Sequence, residues 1–64
     1  MTGTIARKVE DRGFGFIKGD DGKDYFFHRS GCITSYDKLG RDQPVQFEVE
    51  KSDKGPRATE VEAV

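Results

Sequence analysis

Phe14, Phe16, Phe26 and His28 are the side chains of this 64-residue chain whose types and spacing could do chemistry. Phe14 and Phe16 alternate with glycine in Arg12-Gly13-Phe14-Gly15-Phe16-Ile17, and Phe26 and His28 stand two apart in Tyr25-Phe26-Phe27-His28. Strand side chains repeat every second residue, so each pair shares a face, and two neighbouring strands would set all four side by side. A folded domain normally buries its phenylalanines. Rings held outward among arginines and lysines instead suit stacking on flat ligands, above all unpaired nucleobases. Gly13 and Gly15 support the outward reading, because glycine is a poor choice for a solvent face but suits a strand that coils tightly in a small barrel. In the continuous run Tyr25-Phe26-Phe27, the parity of His28 decides that the even positions face out.

Other chemistries fail on residue count or spacing. One histidine and one cysteine, His28 and Cys32, fall short of the three or four ligands a zinc site needs. His28 and Ser30 share a strand face, but nothing near them supplies an orienting group and an oxyanion hole. Gly13-Phe14-Gly15 begins like a dinucleotide fingerprint, yet Lys18 stands where its third glycine belongs and no helix follows. Gly22-Lys23 fails as a phosphate loop, since Asp24 replaces the required Ser/Thr and Ile17 the first glycine. No enzyme, cofactor, metal or small-molecule substrate is expected.

The totals agree with a small binding module. A chain this short buries only about 60% of the surface its unfolded form exposes, which leaves one domain over residues 1–64, a thin core and no room for a large catalytic cleft. Charged residues (36%) outnumber hydrophobic ones (33%), but a net charge of -1 and the ordered alternation of apolar residues argue against disorder. No apolar run could span or anchor in a membrane, and a lone cysteine fits a reducing compartment, so a cytoplasmic protein is expected. The sequence pI near 5.7 lacks the basic signature of many DNA-binding domains. Residues 1–29, however, hold six Lys/Arg against five Asp/Glu, while residues 30–64 hold five against seven. Arg7, Lys8, Arg12, Lys18 and Arg29 all fall in or beside the aromatic segments, which allows a local basic face on a mildly acidic protein.

Five short strands must position these residues. Thr4 to Val9 reads as the first, with Glu10-Asp11-Arg12 turning into a second from Gly13 to Lys18. Asp20-Asp21-Gly22-Lys23 is a tight-turn signal, because Asp-Gly accepts positive φ, and it leads into a third strand from Asp24 to His28. Ser30 to Gln43 reads as a long loop with room for one helical turn. Val45, Phe47 and Val49 alternate with Gln46, Glu48 and Glu50 as a fourth strand, Ser52 to Pro56 turns, and Ala58 to Val61 closes as a fifth. No apolar stripe at helical spacing survives the interrupting glycines. The reading is an all-β, five-stranded antiparallel OB-type barrel, since closure removes exposed strand edges. Its core is expected from Ile5, Ile17, Tyr25, Phe27, Val45, Phe47, Val49 and Val61, and Glu48, Glu50, Glu60 and Glu62 are expected on a solvated face.

At these residues the chain resembles the bacterial cold-shock proteins. Gly13-Phe14-Gly15-Phe16-Ile17 is similar to the family's first ribonucleoprotein motif, Lys-Gly-Phe-Gly-Phe-Ile, with Arg12 in the lysine position. Phe26-Phe27-His28 resembles the second, Val-Phe-Val-His-Phe, whose phenylalanine and histidine stack on bases. Gly3, the Asp-Gly turn and Lys54-Gly55-Pro56-Arg57-Ala58 add to a likeness covering nearly the whole chain. The resemblance implies a barrel that binds single-stranded RNA and ssDNA as a monomer, and acts as an RNA chaperone that keeps transcripts unstructured. Phe14, Phe16, Phe26 and His28 would stack bases, joined by Tyr36, which falls near a loop position where the family has a further stacking phenylalanine.

The departures from the family pattern share one sign. Aligned without gaps from Gly3 to His28, Arg7 and Lys8 take positions where the family has tryptophan and phenylalanine, and Arg29 replaces the phenylalanine after the histidine. All three substitutes are cations, which suggests stacking exchanged for electrostatics and a steeper dependence of binding on salt. Arg7, Lys8, Lys18 and Arg29 are therefore expected to attract phosphate or stack through guanidinium, with Arg57 a further candidate. The alternative is an interaction module that kept the barrel, weakened its nucleic-acid binding and recognises a protein partner.

Overall fold

The structure, a computed structural model, describes residues 1–52 and 55–64. It contains β1 (Thr2–Val9), β2 (Phe14–Gly19), β3 (Asp24–His28), β4 (Pro44–Ser52) and β5 (Gly55–Ala63), with single 3-10 turns at Arg29–Gly31 and Tyr36–Lys38. The strands close into a barrel in the order β1-β2-β3-β5-β4. All pairings are antiparallel except β3 with β5, which run parallel through Phe26 opposite Arg57 and Phe27 opposite Ala58. This corrects the expectation of an antiparallel barrel. A closed ring with an odd number of strands cannot alternate direction throughout, so one neighbouring pair must run parallel.

The turns follow local chemistry. Gly13 and Gly22 adopt φ of 72° and 83°, values that cost L side chains the clash of Cβ with the backbone. The Asp21 carboxylate accepts from the Lys23 N–H at 3.0 Å and the Tyr25 hydroxyl at 2.5 Å, tying the β2–β3 turn to the start of β3. The β4–β5 turn expected over Ser52 to Pro56 includes Asp53 and Lys54, which lie outside the described residues. Gly55 and Pro56 belong to β5, opposite Ser52 and Lys51.

Ile5, Ile17, Tyr25, Phe27, Val45, Phe47 and Val61 fill the core as their alternation predicts, joined by Leu39 and Ala58. Val49 does not join them: it is 42% exposed. It lies opposite the buried Ala58, but β1 pairs with β4 only over Pro44 to Gln46, so β4 has left its β1 neighbour before Val49 and continues with β5 alone. Leu39, which closes the second 3-10 turn by donating its N–H to the Tyr36 carbonyl at 3.1 Å, was not legible because its loop has no period.

Two bulges decide which side chains face outward. On β1, Ile5 lies opposite Ile17 but Arg7 lies opposite Phe16, so Ala6 is an extra residue and parity flips beyond it. On β5, Thr59 lies opposite Glu48 and Glu62 opposite Gln46, with Glu60 at φ 52° in the bulge. Next to this bulge the Val61 carbonyl accepts the N–H groups of Ile33 and Thr34 at 2.7 and 3.2 Å, fastening the long loop to the barrel. No helix of the described residues is long and apolar enough to cross a membrane.

Candidate nucleic-acid interface

Strand register assembles the predicted aromatics into rows. Arg7, Phe16, Phe26 and Arg57 stand opposite one another across β1, β2, β3 and β5. At about 4.8 Å per strand this row spans about 14 Å, with two phenylalanines between two arginines. A second row, Val9-Phe14-His28, flanks it on one side, and Thr4-Lys18-Asp24 flanks it on the other. The parallel β3–β5 pairing that sequence alternation did not anticipate is what brings Arg57 beside Phe26.

The rings hold one another in place. Phe14 lies 6.1 Å from Phe16 at 86° and 5.3 Å from Phe26 at 40°, and Phe16 lies 6.0 Å from Phe26 at 70°. Such edge-to-face and tilted pairs contribute about 0.5–1.5 kcal/mol each beyond their burial, so the half-buried cluster is set before any ligand arrives. Gly15 lies between the two outward rings of β2 and faces the core. A Cβ there would stand 2.4 Å from the Arg7 carbonyl oxygen and 2.8 Å from the Phe27 ring, so only glycine lets the platform close over Phe27. His28 is oriented by its neighbours: Nδ1 accepts the Ser30 N–H at 3.2 Å and lies 2.9 Å from Ser30 Oγ, which leaves the ring hydrogen on Nε2.

The cations divide into three groups. Arg7 and Arg57 flank the two phenylalanines of the central row, with Glu50 opposite Arg57 on β4, and the buried Nε of Arg57 has no hydrogen-bond partner among the described residues. Lys18 is exposed in the adjacent row, 4.0 Å from Asp24, and Arg29 is exposed beyond His28 with its stem across Gly13. Lys8 departs from its expected place. The Ala6 bulge turns it to the inner side, opposite Gly15, where its side chain is only 10% exposed. There Nζ donates to the Tyr36 carbonyl at 2.9 Å, lies 4.4 Å above the Tyr36 ring and pairs with Glu10 at 3.4 Å. This ammonium is already engaged within the protein.

Tyr36 is half-buried beside β2. Its ring centroid lies 6.0 Å from that of Phe27, and its hydroxyl donates to the Phe14 carbonyl at 2.7 Å. Burial, followed by the nearby Glu10 carboxylate, pushes its phenol above the usual range. Tyr36 thus acts as a strut under β2, beside a cleft of about 320 Å³ that Arg29 and Gly13 also line. No spacing in the sequence signals this role.

Carboxylates border the platform as well: Glu50 lies opposite Arg57 on β4 and Asp24 opposite Lys18, while Glu48 and Glu60 are exposed on β4 and β5. No group of three or more His, Cys, Asp or Glu able to hold a metal ion occurs among the described residues. Cys32 donates its thiol to the His28 carbonyl at 3.5 Å, and burial pushes the thiol above its ordinary range.

The family model of the 'Cold-shock' DNA-binding domain matches residues 1–64. The chain is 43% identical over 61 residues to Cold shock protein 2 of Lactiplantibacillus plantarum, covering 94% of this chain and 92% of that one. It is 39% identical over 66 residues to the Cold shock-like protein CspA of Vibrio cholerae, covering 100% and 94%, and 40% identical over 63 residues to CspG of Escherichia coli, covering 95% and 90%. Among solved structures, drosophila Unr CSD456 superposes with a TM-score of 0.82 at 25% identity, over 98% of this chain and 26% of that chain. A barrel of this order with its aromatic strands at the family's spacing is what such similarity requires, and the chain belongs to the cold-shock domain family of nucleic-acid-binding proteins.

Proposed function

We propose that this protein binds single-stranded RNA and ssDNA by stacking unpaired bases on Phe14, Phe16, Phe26 and His28, and that it acts as an RNA chaperone keeping transcripts unstructured. The observation that carries the reading is the Arg7-Phe16-Phe26-Arg57 row, where cations flank stacking surfaces at strand spacing. Each stacked base contributes about 1–3 kcal/mol, and every base has a π-face, so recognition is tolerant of sequence. A duplex is disfavoured because its bases already stack on one another, and binding therefore shifts structured RNA toward its melted form. Arg7, Arg57, Lys18 and Arg29 supply phosphate contacts or guanidinium stacking. Lys8 and Tyr36 support the platform from behind.

Titration of a labelled pyrimidine-rich single strand, followed by fluorescence anisotropy, tests the reading. Wild-type protein binds at low salt, and Phe14→Ala combined with Phe26→Ala abolishes most of the affinity. Full binding by the double variant refutes stacking. Absence of wild-type binding favours the protein-partner alternative. The chaperone role is checked by the melting of a labelled RNA hairpin, which the wild type lowers and the double variant leaves unchanged.

A further inference from the structure

A cleft of about 690 Å³ runs along the free side of β1, between Arg7 and Lys8 on the strand and Arg41 in the loop before β4. Past Thr4, β1 no longer pairs with β4. The Asp42 N–H donates to the Ile5 carbonyl at 2.7 Å, and the Ile5 N–H donates to the Gln43 carbonyl at 2.9 Å, which places Arg41 beside Ala6 and Arg7. Arg41 has no carboxylate within ion-pairing distance among the described residues, and neither has Arg7. Within the cleft, Glu10 is occupied by Lys8, and Asp11 lies at the β1–β2 turn end, so the end between Arg7 and Arg41 is cationic.

We infer that this cleft is a second phosphate-binding segment, in which Arg41 takes the backbone of a single strand after it leaves the aromatic row past Arg7. The inference rests on the nucleic-acid reading above. Arg7 faces both surfaces: it ends the row opposite Phe16 and lines the cleft. A strand that covers only the aromatic rows does not reach Arg41. A longer one does, and gains a phosphate contact with no further stacking ring.

The test compares labelled oligothymidines of about 6 and about 12 nucleotides, within the site sizes of OB-type folds, on the wild type, Arg41→Ala and Arg41→Lys. The three proteins should bind the short strand alike. On the long strand the slope of log affinity against log salt should be shallower in Arg41→Ala by about 0.7, the loss of one single-strand phosphate contact. Between about 50 and about 200 mM salt the wild type should then lose about 2.6-fold more affinity than Arg41→Ala, and Arg41→Lys should retain the wild-type slope. An Arg41→Ala slope equal to that of the wild type on the long strand overturns the inference while leaving the platform reading intact. Failure of the wild type to bind either strand overturns both.

Discussion

Stacking and charge leave different marks on the salt dependence of binding, and two substitutions in one row separate them. Phe16 is half-buried and lies 6.1 and 6.0 Å from the Phe14 and Phe26 rings, while Arg7 stands directly opposite it on β1. Phe16→Leu keeps an apolar side chain on the platform and removes the π-face. Losing one stacked base costs about 1–3 kcal/mol, a drop of about 0.7–2.2 log units in affinity. No phosphate contact changes, so plots of log affinity against log salt for wild type and Phe16→Leu should be parallel. Arg7→Ala should instead flatten the slope by about 0.7 if its guanidinium holds one phosphate. On a strand of about 6 nucleotides, which does not reach Arg41, with Arg7, Arg57, Lys18 and Arg29 each on one phosphate, the wild-type slope should be about −2.8. Anisotropy titrations of one labelled pyrimidine-rich strand across a salt series supply all three lines, and thermal unfolding checks that both variants remain folded. A Phe16→Leu line that converges with that of the wild type at high salt, or that coincides with it, would refute stacking at Phe16.

Other consequences concern the scaffold. Gly15→Ala forces a Cβ against the Arg7 carbonyl and the Phe27 ring and should destabilise the barrel by about 1–3 kcal/mol, read as a lower midpoint in denaturant unfolding. Glu60→Gly relieves an exposed non-glycine residue at φ 52° and should stabilise by up to about 1 kcal/mol, with unchanged nucleic-acid affinity. Tyr36→Phe removes the hydroxyl bond to the Phe14 carbonyl and should cost about 1 kcal/mol of stability; an unchanged unfolding midpoint would remove its role as a strut. The Tyr25 hydroxyl, then the Lys23 N–H, holds the Asp21 carboxyl below its ordinary range. Its stabilisation is therefore complete above the unfolded carboxylate value and is lost as pH falls through the lower folded one, so Asp21→Asn should flatten the acid limb of a stability–pH profile. The same bond raises the Tyr25 phenol, so its stabilisation should persist below the unfolded phenol value and fade as pH climbs through the higher folded one.

Residues with a strict local period were legible. Phe14, Phe16, Phe26 and His28 share a face because they lie two apart within strands, and the Gly22 turn was readable because positive φ has a chemical signature. Val49 misled for the converse reason. Its alternation with Val45 and Phe47 is real, but period says nothing about whether the barrel still has a wall opposite it. Leu39 and Ala58 were invisible as core residues because one sits in an aperiodic loop and the other in a strand whose period a bulge interrupts.

The amino-acid sequence by itself determined the aromatic platform, the glycine beneath it and the number of strands, since each depends on neighbours within a few residues. Only the tertiary structure decided how the cations are shared out. A one-residue bulge at Ala6 sends Arg7 to the platform and Lys8 to Tyr36, although the two are adjacent and identical in charge. Closing five strands into a ring forces one parallel pair, and that pair brings Arg57 against Phe26. Both outcomes are set by registers between strands distant in sequence, where packing of the whole barrel, rather than local pattern, selects the pairing.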